Sequence, residues 1–245
     1  MIIGSKKIFV EKLSSTNSHA AWLLRKGKVQ DGTVVHTLYQ TAGRGQADNK
    51  WESESGKNLL ISIIIFPNFI RAERQFTISK MISLGIRDYL VSLCSDVTIK
   101  WPNDIYVRND KIAGILIENA VIRYEIEHTI AGIGLNVNQV KFPASVSGAT
   151  SLRLSAGREF GLDDCLNNLL GSIDRRYRQL SGNKKTGINS DYINALYHFN
   201  QWTEFRDSRG VFEGKIIAVT DIGRLQIEDR KGRIYEYEHG EVDFL

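Results

Sequence analysis

The chain has 245 residues, enough for one large domain or a large domain with a small appendage. Its 42% hydrophobic and 24% charged content is ordinary for a globular protein and excludes a collagenous, coiled-coil or disordered chain. The formal charge of +4 comes from 32 Lys and Arg interspersed with 28 Asp and Glu, so no nucleic-acid-binding face is expected, whereas an anionic small molecule or an acidic protein partner is compatible with it.

The N-terminus lacks the basic, apolar and small-residue order of a secretory signal. Ser14-Ser15-Thr16-Asn17 supplies capping residues ahead of Ala20-Ala21-Trp22-Leu23-Leu24, and Gly27 suits the helix end. Residues 33–41 carry the β-branched and aromatic bias of a strand. Residues 59–66 read as a buried strand, broken by Ser62 and far short of the ~20 residues a membrane span needs. Ile78, Met81, Ile82, Gly85, Ile86, Tyr89, Leu90 and Leu93 form the apolar stripe of a core-facing helix. Strands are predicted over 97–101 and 105–108, with Asn109-Asp110 turning the chain back into 111–118, and another strand over 126–137.

Leu166, Leu169, Leu170, Ile173, Tyr177 and Leu180 mark a second amphipathic helix, and a third is predicted over 191–199. After Trp202 short alternating strands follow at 211–219, 224–228 and 233–238, a spacing that predicts a small all-β barrel. A boundary near residue 200 divides the chain into 1–200 and 201–245. Strands and helices mixed without strict βαβ alternation predict an α+β main domain. Cys94 and Cys165 are too few for a disulfide framework or a cysteine-rich zinc site, so a soluble, cytoplasmic chain without a membrane role is expected.

Several chemistries are excluded by missing motifs. The chain has no P-loop, and neither Gly43-Arg44-Gly45 nor Gly132-Ile133-Gly134 extends to a dinucleotide-binding fingerprint. Four segments can carry chemistry, each with a structural alternative. Gln40-Thr41-Ala42-Gly43-Arg44-Gly45-Gln46 lets backbone amides approach an anion and adds a guanidinium fork, or is a flexible turn. Lys100-Trp101-Pro102-Asn103-Asp104 offers an amide beside a carboxylate, suited to Mg²⁺ carrying phosphates, or is turn chemistry. Lys111-Ile112-Ala113-Gly114 aims a point charge at an anion, or ends a hairpin in solvent. Gly132-Ile133-Gly134-Leu135-Asn136 permits close approach of a ligand, or packs against the core.

In this order, Ser15-Thr16-Asn17, Gln40-x-x-Gly43-Arg44-Gly45, Lys100-Trp101-Pro102-Asn103-Asp104, Lys111-x-x-Gly114 and Gly132-x-Gly134-x-Asn136 resemble the biotin–protein ligases over roughly residues 8–140. The resemblance implies a mixed or antiparallel sheet packed with helices, of the class II aminoacyl-tRNA-synthetase type, plus a C-terminal barrel. It implies joining of biotin to ATP as biotinyl-5′-AMP, then transfer to one lysine of the biotin carrier domain of a biotin-dependent carboxylase. Lys111 matches the catalytic lysine between the biotin carboxylate and the α-phosphate, Arg44 the arginine that holds the adenylate, and Asp104 a residue positioning the attacking amine.

By the same carry-over, Ser15, Thr16, Asn17 and Gln40 match positions on the biotin head group, with Gly43, Gly45 and Gln46 in the covering loop and Gly114 lining the pocket. Trp51 matches the aromatic that stacks on adenine, while Lys100, Asn103, Asp104 and Asn136 match the nucleotide side. Mg²⁺ accompanies ATP; its protein ligands are left open, with Asp104 a candidate. Larger members carry an N-terminal DNA-binding module, for which no room is expected before Ser15, so a dedicated ligase is expected, as a monomer or a homodimer. Where the family loop continues with cations, this chain reads Gln46-Ala47-Asp48-Asn49, which is expected to weaken retention of the adenylate. The alternatives are a lipoate- or octanoate-type protein ligase and a non-catalytic biotin-binding homologue.

Overall fold

The computed structural model describes residues 2–27, 29–46, 49–143, 146, 148–182 and 187–245. The first half contains β1 (Lys7–Phe9), β2 (Lys12–Leu13), α1 (Thr16–Arg25), β3 (Thr33–Thr37), β4 (Tyr39–Gln40), β5 (Leu59–Ile65), α2 (Phe76–Leu90) and β6 (Val97–Lys100). It continues through β7 (Asp104–Val107), β8 (Asp110–Ile122), β9 (Glu125–Leu135), α3 (Leu152–Ala156), α4 (Leu162–Ser181) and α5 (Ile188–Asn194). The last strands are β10 (Trp202–Asp207), β11 (Gly210–Val219), β12 (Leu225–Asp229), β13 (Ile234–Tyr237) and β14 (Asp243–Phe244). A seven-stranded sheet runs β1-β3-β5-β9-β8-β7-β6, antiparallel except for the parallel β1–β3 edge. This is the expected α+β mixed sheet packed with helices.

All seven residues of β5 are buried because both faces of the sheet are covered there. Ile61, Ile63 and Ile65 face the main core with α2 and α4, while Ile64 packs with Ala20 of α1, Val35 and Ile130 on the opposite face. Each such isoleucine contributes on the order of 1.5–3 kcal/mol through removal from water. α1 closes where Gly27 takes a left-handed φ of +70°, as its sequence predicts. On α2, Gly85 lies where a Cβ would come 2.7 Å from Ile173 Cα, so its missing side chain lets α4 pack against α2 at this point.

Several elements differ from the sequence-based expectation. The 33–41 strand breaks at Leu38 into β3 and β4, which join different sheets. The β7–β8 turn centres on Arg108-Asn109, with Arg108 rather than Asp110 in the left-handed region at φ +55°. The third helix is Ile188–Asn194 and stops short of 199 because the chain after it pairs with β6, Ala195 O accepting from Ile99 N–H and Tyr197 N–H donating to Ile99 O.

The C-terminal strands form an open antiparallel sheet, β13-β12-β11-β10-β14, and not the closed barrel expected. Its edge strands are short, and its apolar face, with Phe205, Ile216, Leu225 and Ile227, joins the main core, so burial is achieved without closure. Lys80 ties α2 to α5 and to the C-terminal sheet, its ammonium donating to Asn189 Oδ1 (2.7 Å) and to Val219 O (3.3 Å). Burial lowers the pKa of this lysine, with Asp221 opposing the shift.

Two stability outcomes follow from this packing. In Gly85→Ala, better helix propensity contributes about 1 kcal/mol, but overpacking against the α4 backbone costs about 1–3 kcal/mol, so a lowered denaturant midpoint is expected. Within the C-terminal sheet, hydrogen bonds from Arg209 and from the Tyr237 hydroxyl hold the Asp207 carboxyl down to about 2. Because the folded pKa lies below the unfolded one, Asp207 stabilises the sheet fully above pH ~4, and that contribution is lost as the pH falls toward ~2. Thermal melts across this window should show a shallower acid loss for Asp207→Asn than for the unaltered chain.

Candidate functional site

Antiparallel pairing puts directly opposed residues on one face, and two neighbouring rows share three glycines there. Gly114 of β8 pairs with Gly134 of β9, Gly132 pairs with Leu116, and Ser62 of β5 pairs with Gly132. A Cβ at Gly134 would lie 2.3 Å from Trp51 Cε2, one at Gly114 2.9 Å from Trp51 Cζ3, and one at Gly132 2.3 Å from Asn17 Oδ1. The glycines therefore form a bare floor on which the Trp51 indole and the Asn17 amide lie.

Strict alternation would turn Lys111 away from this floor. The β7–β8 register shifts between Ile105↔Ala113 and Tyr106↔Lys111, leaving Ile112 as an extra residue. This bulge brings Lys111 to the Gly114 side, where its ammonium lies 2.7 Å from Asp104 Oδ1 and 3.4 Å from the Gly114 Cβ position. The Lys111–Asp104 contact is a charge contact and not an aligned hydrogen bond, since Oδ1 has no hydrogen-bond partner among the described residues. The backbone of Lys111 is pinned on its other side, its N–H donating to Gly148 O and its carbonyl accepting from Thr150 N–H.

The glycine-rich loop folds back as a small hairpin. Gly45 N–H donates to Asn49 O (2.6 Å) and Trp51 N–H to Gly43 O (3.0 Å), which returns Trp51 beside Gly43. A Cβ on Gly43 would meet Trp51 O at 2.3 Å, so glycine is required there. Ala47 and Asp48, on which the expected weaker retention rests, lie outside the described residues.

At the start of α1, Ser15 occupies the N-cap position, yet its hydroxyl makes no capping hydrogen bond among the described residues; the cavity wall takes it instead. Gln40 caps the turn from outside, its Oε1 accepting from Thr16 N–H (2.7 Å) and Thr16 Oγ1 (3.1 Å). Ser62 Oγ lies 2.7 Å from Thr16 Oγ1 and 2.5 Å from Asn17 Oδ1. Asn17 Nδ2 donates to Glu118 Oε2 (2.7 Å), and Arg44 Nη2 donates to Glu118 Oε1 (2.8 Å). One polar network thus joins β4, α1, β5, β8 and the loop.

These groups surround a cavity of about 140 Å³ lined by Ser15, Thr16, Asn17, Asp104, Lys111 and Trp51, among others. A wider groove of about 1130 Å³ opens across the loop toward Pro143. Trp51 Nε1 and Gln46 Oε1 are covered but have no hydrogen-bond partner among the described residues, a polar surplus typical of a site built for a ligand. Two expected residues stand elsewhere. Asn136 lies behind the wall, its amide donating to Thr150 O. Lys100 opposes Asp104 across the strands, but its ammonium sits over the rings of Tyr106, Tyr197 and Phe244 at 5.0–5.8 Å. Burial there lowers its pKa, with Asp104 opposing. Asn103 lines the cavity while its amide donates to Ile115 O, fixing the turn onto β8.

Three residues were missed by sequence reasoning. Ser62 left a signal, a lone hydroxyl inside an otherwise apolar strand; Glu118 left another, the first charge after the apolar stretch that follows Lys111. His239, which reaches the cavity from the C-terminal sheet, left none. Among the described residues, Asp104 is the one carboxylate lining the cavity, and no cluster of three or more His, Cys, Asp or Glu side chains placed to hold a metal occurs. That donor set fits Mg²⁺ held largely by phosphates and water. No described helix is long and apolar enough to cross a membrane.

The chain matches the biotin/lipoate A/B protein ligase family over residues 9–136. It is 30% identical to the bifunctional ligase/repressor BirA of Bacillus subtilis over 237 residues, covering 94% of this chain and 72% of that protein. It is 26% identical to the biotin–[acetyl-CoA-carboxylase] ligase of Paracoccus denitrificans, covering 91% and 90% of the two chains. Its fold is similar to that of a biotin protein ligase from Aquifex aeolicus in complex with biotin and ATP, with a TM-score of 0.78, 24% identity and coverage of 98% and 99%.

The floor yields a direct test. Gly134→Ala should displace the Trp51 indole and increase its quenching by acrylamide, an increase that should vanish when Trp51→Phe is added.

Proposed function

Because the chain belongs to the biotin/lipoate A/B protein ligase family, we propose that it activates biotin with ATP to biotinyl-5′-AMP and passes the biotinyl group to a lysine of a biotin carrier protein. The relatives bearing a biotin-ligase name favour biotin over lipoate as the acid. The observation that carries the reading is the bulge that turns Lys111 onto a glycine floor beside Asp104.

In the first step, a biotin carboxylate oxygen attacks the α-phosphorus and pyrophosphate leaves. Two anions must approach each other, so the barrier is dominated by charge. Lys111 is the cation at the floor that offsets this repulsion, and Arg44 on the loop supplies a second one. Mg²⁺ bound with the triphosphate would neutralise the leaving pyrophosphate, with Asp104 the cavity carboxylate available to it.

Thr16, Asn17 and Gln40, fixed in one network with Ser62, present oriented donors and acceptors to the ureido head group. Trp51 and the loop exclude water from the mixed anhydride. In the second step the carrier amine attacks the acyl carbon, and AMP departs; Asp104 positions that amine.

The same proposal treats residues 1–200 as the catalytic unit and 201–245 as its C-terminal companion, acting in the cytoplasm and without nucleic acid. The interspersed charges support the last point.

The test is incubation with labelled biotin, Mg-ATP and a biotin carrier domain. Label should enter the carrier with the unaltered chain, and lipoate should not replace biotin. Lys111→Ala should cut the rate about 100-fold or more. Absence of carrier labelling by the unaltered chain would overturn the reading.

A further inference from the structure

Glu118 has no part in the reaction as written, yet it stands at the centre of the polar network. It lies on the floor side of β8, two residues beyond Leu116 and four beyond Gly114. Its two carboxylate oxygens serve different elements: Oε1 accepts from Arg44 Nη2 of the loop at 2.8 Å, and Oε2 from Asn17 Nδ2 of α1 at 2.7 Å. A serine hydroxyl can donate or accept, so Ser62 by itself does not orient the Asn17 amide. The Glu118 carboxylate, which only accepts, holds Nδ2 toward β8 and leaves Oδ1 to Ser62, with Leu116 O a second and longer acceptor for Nδ2 at 3.4 Å.

The Arg44 pairing has a different character. The side chains are 49% and 35% exposed, so this ion pair is solvent-screened and easily exchanged. An anionic ligand that takes the Arg44 fork must do so against the Glu118 charge. A neutral ligand meets no such competition.

Building on the reading of this site as one that takes a carboxylic acid, we propose that Glu118 is a positioning residue with two functions. It orients the Asn17 amide toward the head group, and by competing for Arg44 it sets how strongly the site favours an anionic ligand over its neutral counterpart. The structure thus assigns to a carboxylate a role opposite to that of the nearby cations: it limits the affinity for the acid.

Titration calorimetry with biotin and with biotin methyl ester, on the unaltered chain, Glu118→Gln and Glu118→Ala, tests this. Glu118→Gln keeps a carbonyl oxygen that can accept from Asn17 and removes the charge, whereas Glu118→Ala removes both. In each variant the ratio of ester Kd to biotin Kd should rise about two- to fivefold, the range an exposed ion pair supports. In Glu118→Ala alone, the ester itself should bind about two- to fivefold more weakly, because Asn17 Nδ2 is left with only its longer contact to Leu116 O. An unchanged or lowered ratio in the variants, with biotin still binding the unaltered chain, overturns the role of Glu118 and leaves the ligase reading standing. No biotin binding by the unaltered chain overturns that reading, and this inference with it.

Discussion

The site depends on a stretch of sheet surface from which side chains are absent. Gly114, Gly132 and Gly134 are neighbours on two adjacent strands, and each would collide with Trp51 or Asn17 if it bore even a methyl group. Such a gap in a sheet is costly in an ordinary strand, since glycine adds entropy to the unfolded chain and packs nothing. Here the opposite face compensates. Ala113, Ile115, Ala131 and Ile133 all lie in the main core beneath α2 and α4, so the strands are anchored from behind while their front stays bare. The cations and the polar network then take their places around that surface, not within it.

The parts of the molecule that follow from local rules were legible in the sequence. The β-branched run at 59–65, the apolar stripe of α2, and Gly27 after α1 all behave as periodicity and backbone preference require. The order of the glycine and Lys-Trp-Pro-Asn-Asp segments pointed to the right family. What local rules cannot express is where alternation fails. Lys111 reaches the floor only through the Ile112 bulge, which depends on the pairing of β7 with β8 and on the 148–150 segment behind it. The same holds for Ser62, Glu118 and His239, whose surroundings are assembled from elements far apart in the chain. The expected barrel failed for a related reason: closure is one way to hide apolar surface, and packing on a neighbouring body is another.

The two sheets share more than a boundary. Trp101, in the turn that leads to Asp104, donates its indole N–H to Gly223 O at 2.8 Å and lies 6.4 Å from the His239 ring. Lys100 sits over Phe244 of β14, and Lys80 reaches Val219 O from α2. Gly223, at φ +98°, is where a Cβ would meet Phe76 Cδ2 at 2.6 Å. The Trp101 and Lys100 contacts meet at the turn bearing the cavity carboxylate, so that turn is held by the C-terminal sheet as well as by β7, while the other two join α2 to that sheet.

The Trp101–Gly223 bond bears on how this protein can be cut or rebuilt. A shortened version ending near residue 200 would leave the Trp101 indole N–H without its acceptor and would strip the cover from an apolar face that belongs to the common core. The last forty-odd residues are therefore not a detachable tail. Split-reporter or fusion schemes would do better to open the chain at the β8–β9 tip, where Ile122 and Tyr124 are exposed and no described residue packs over them into the core.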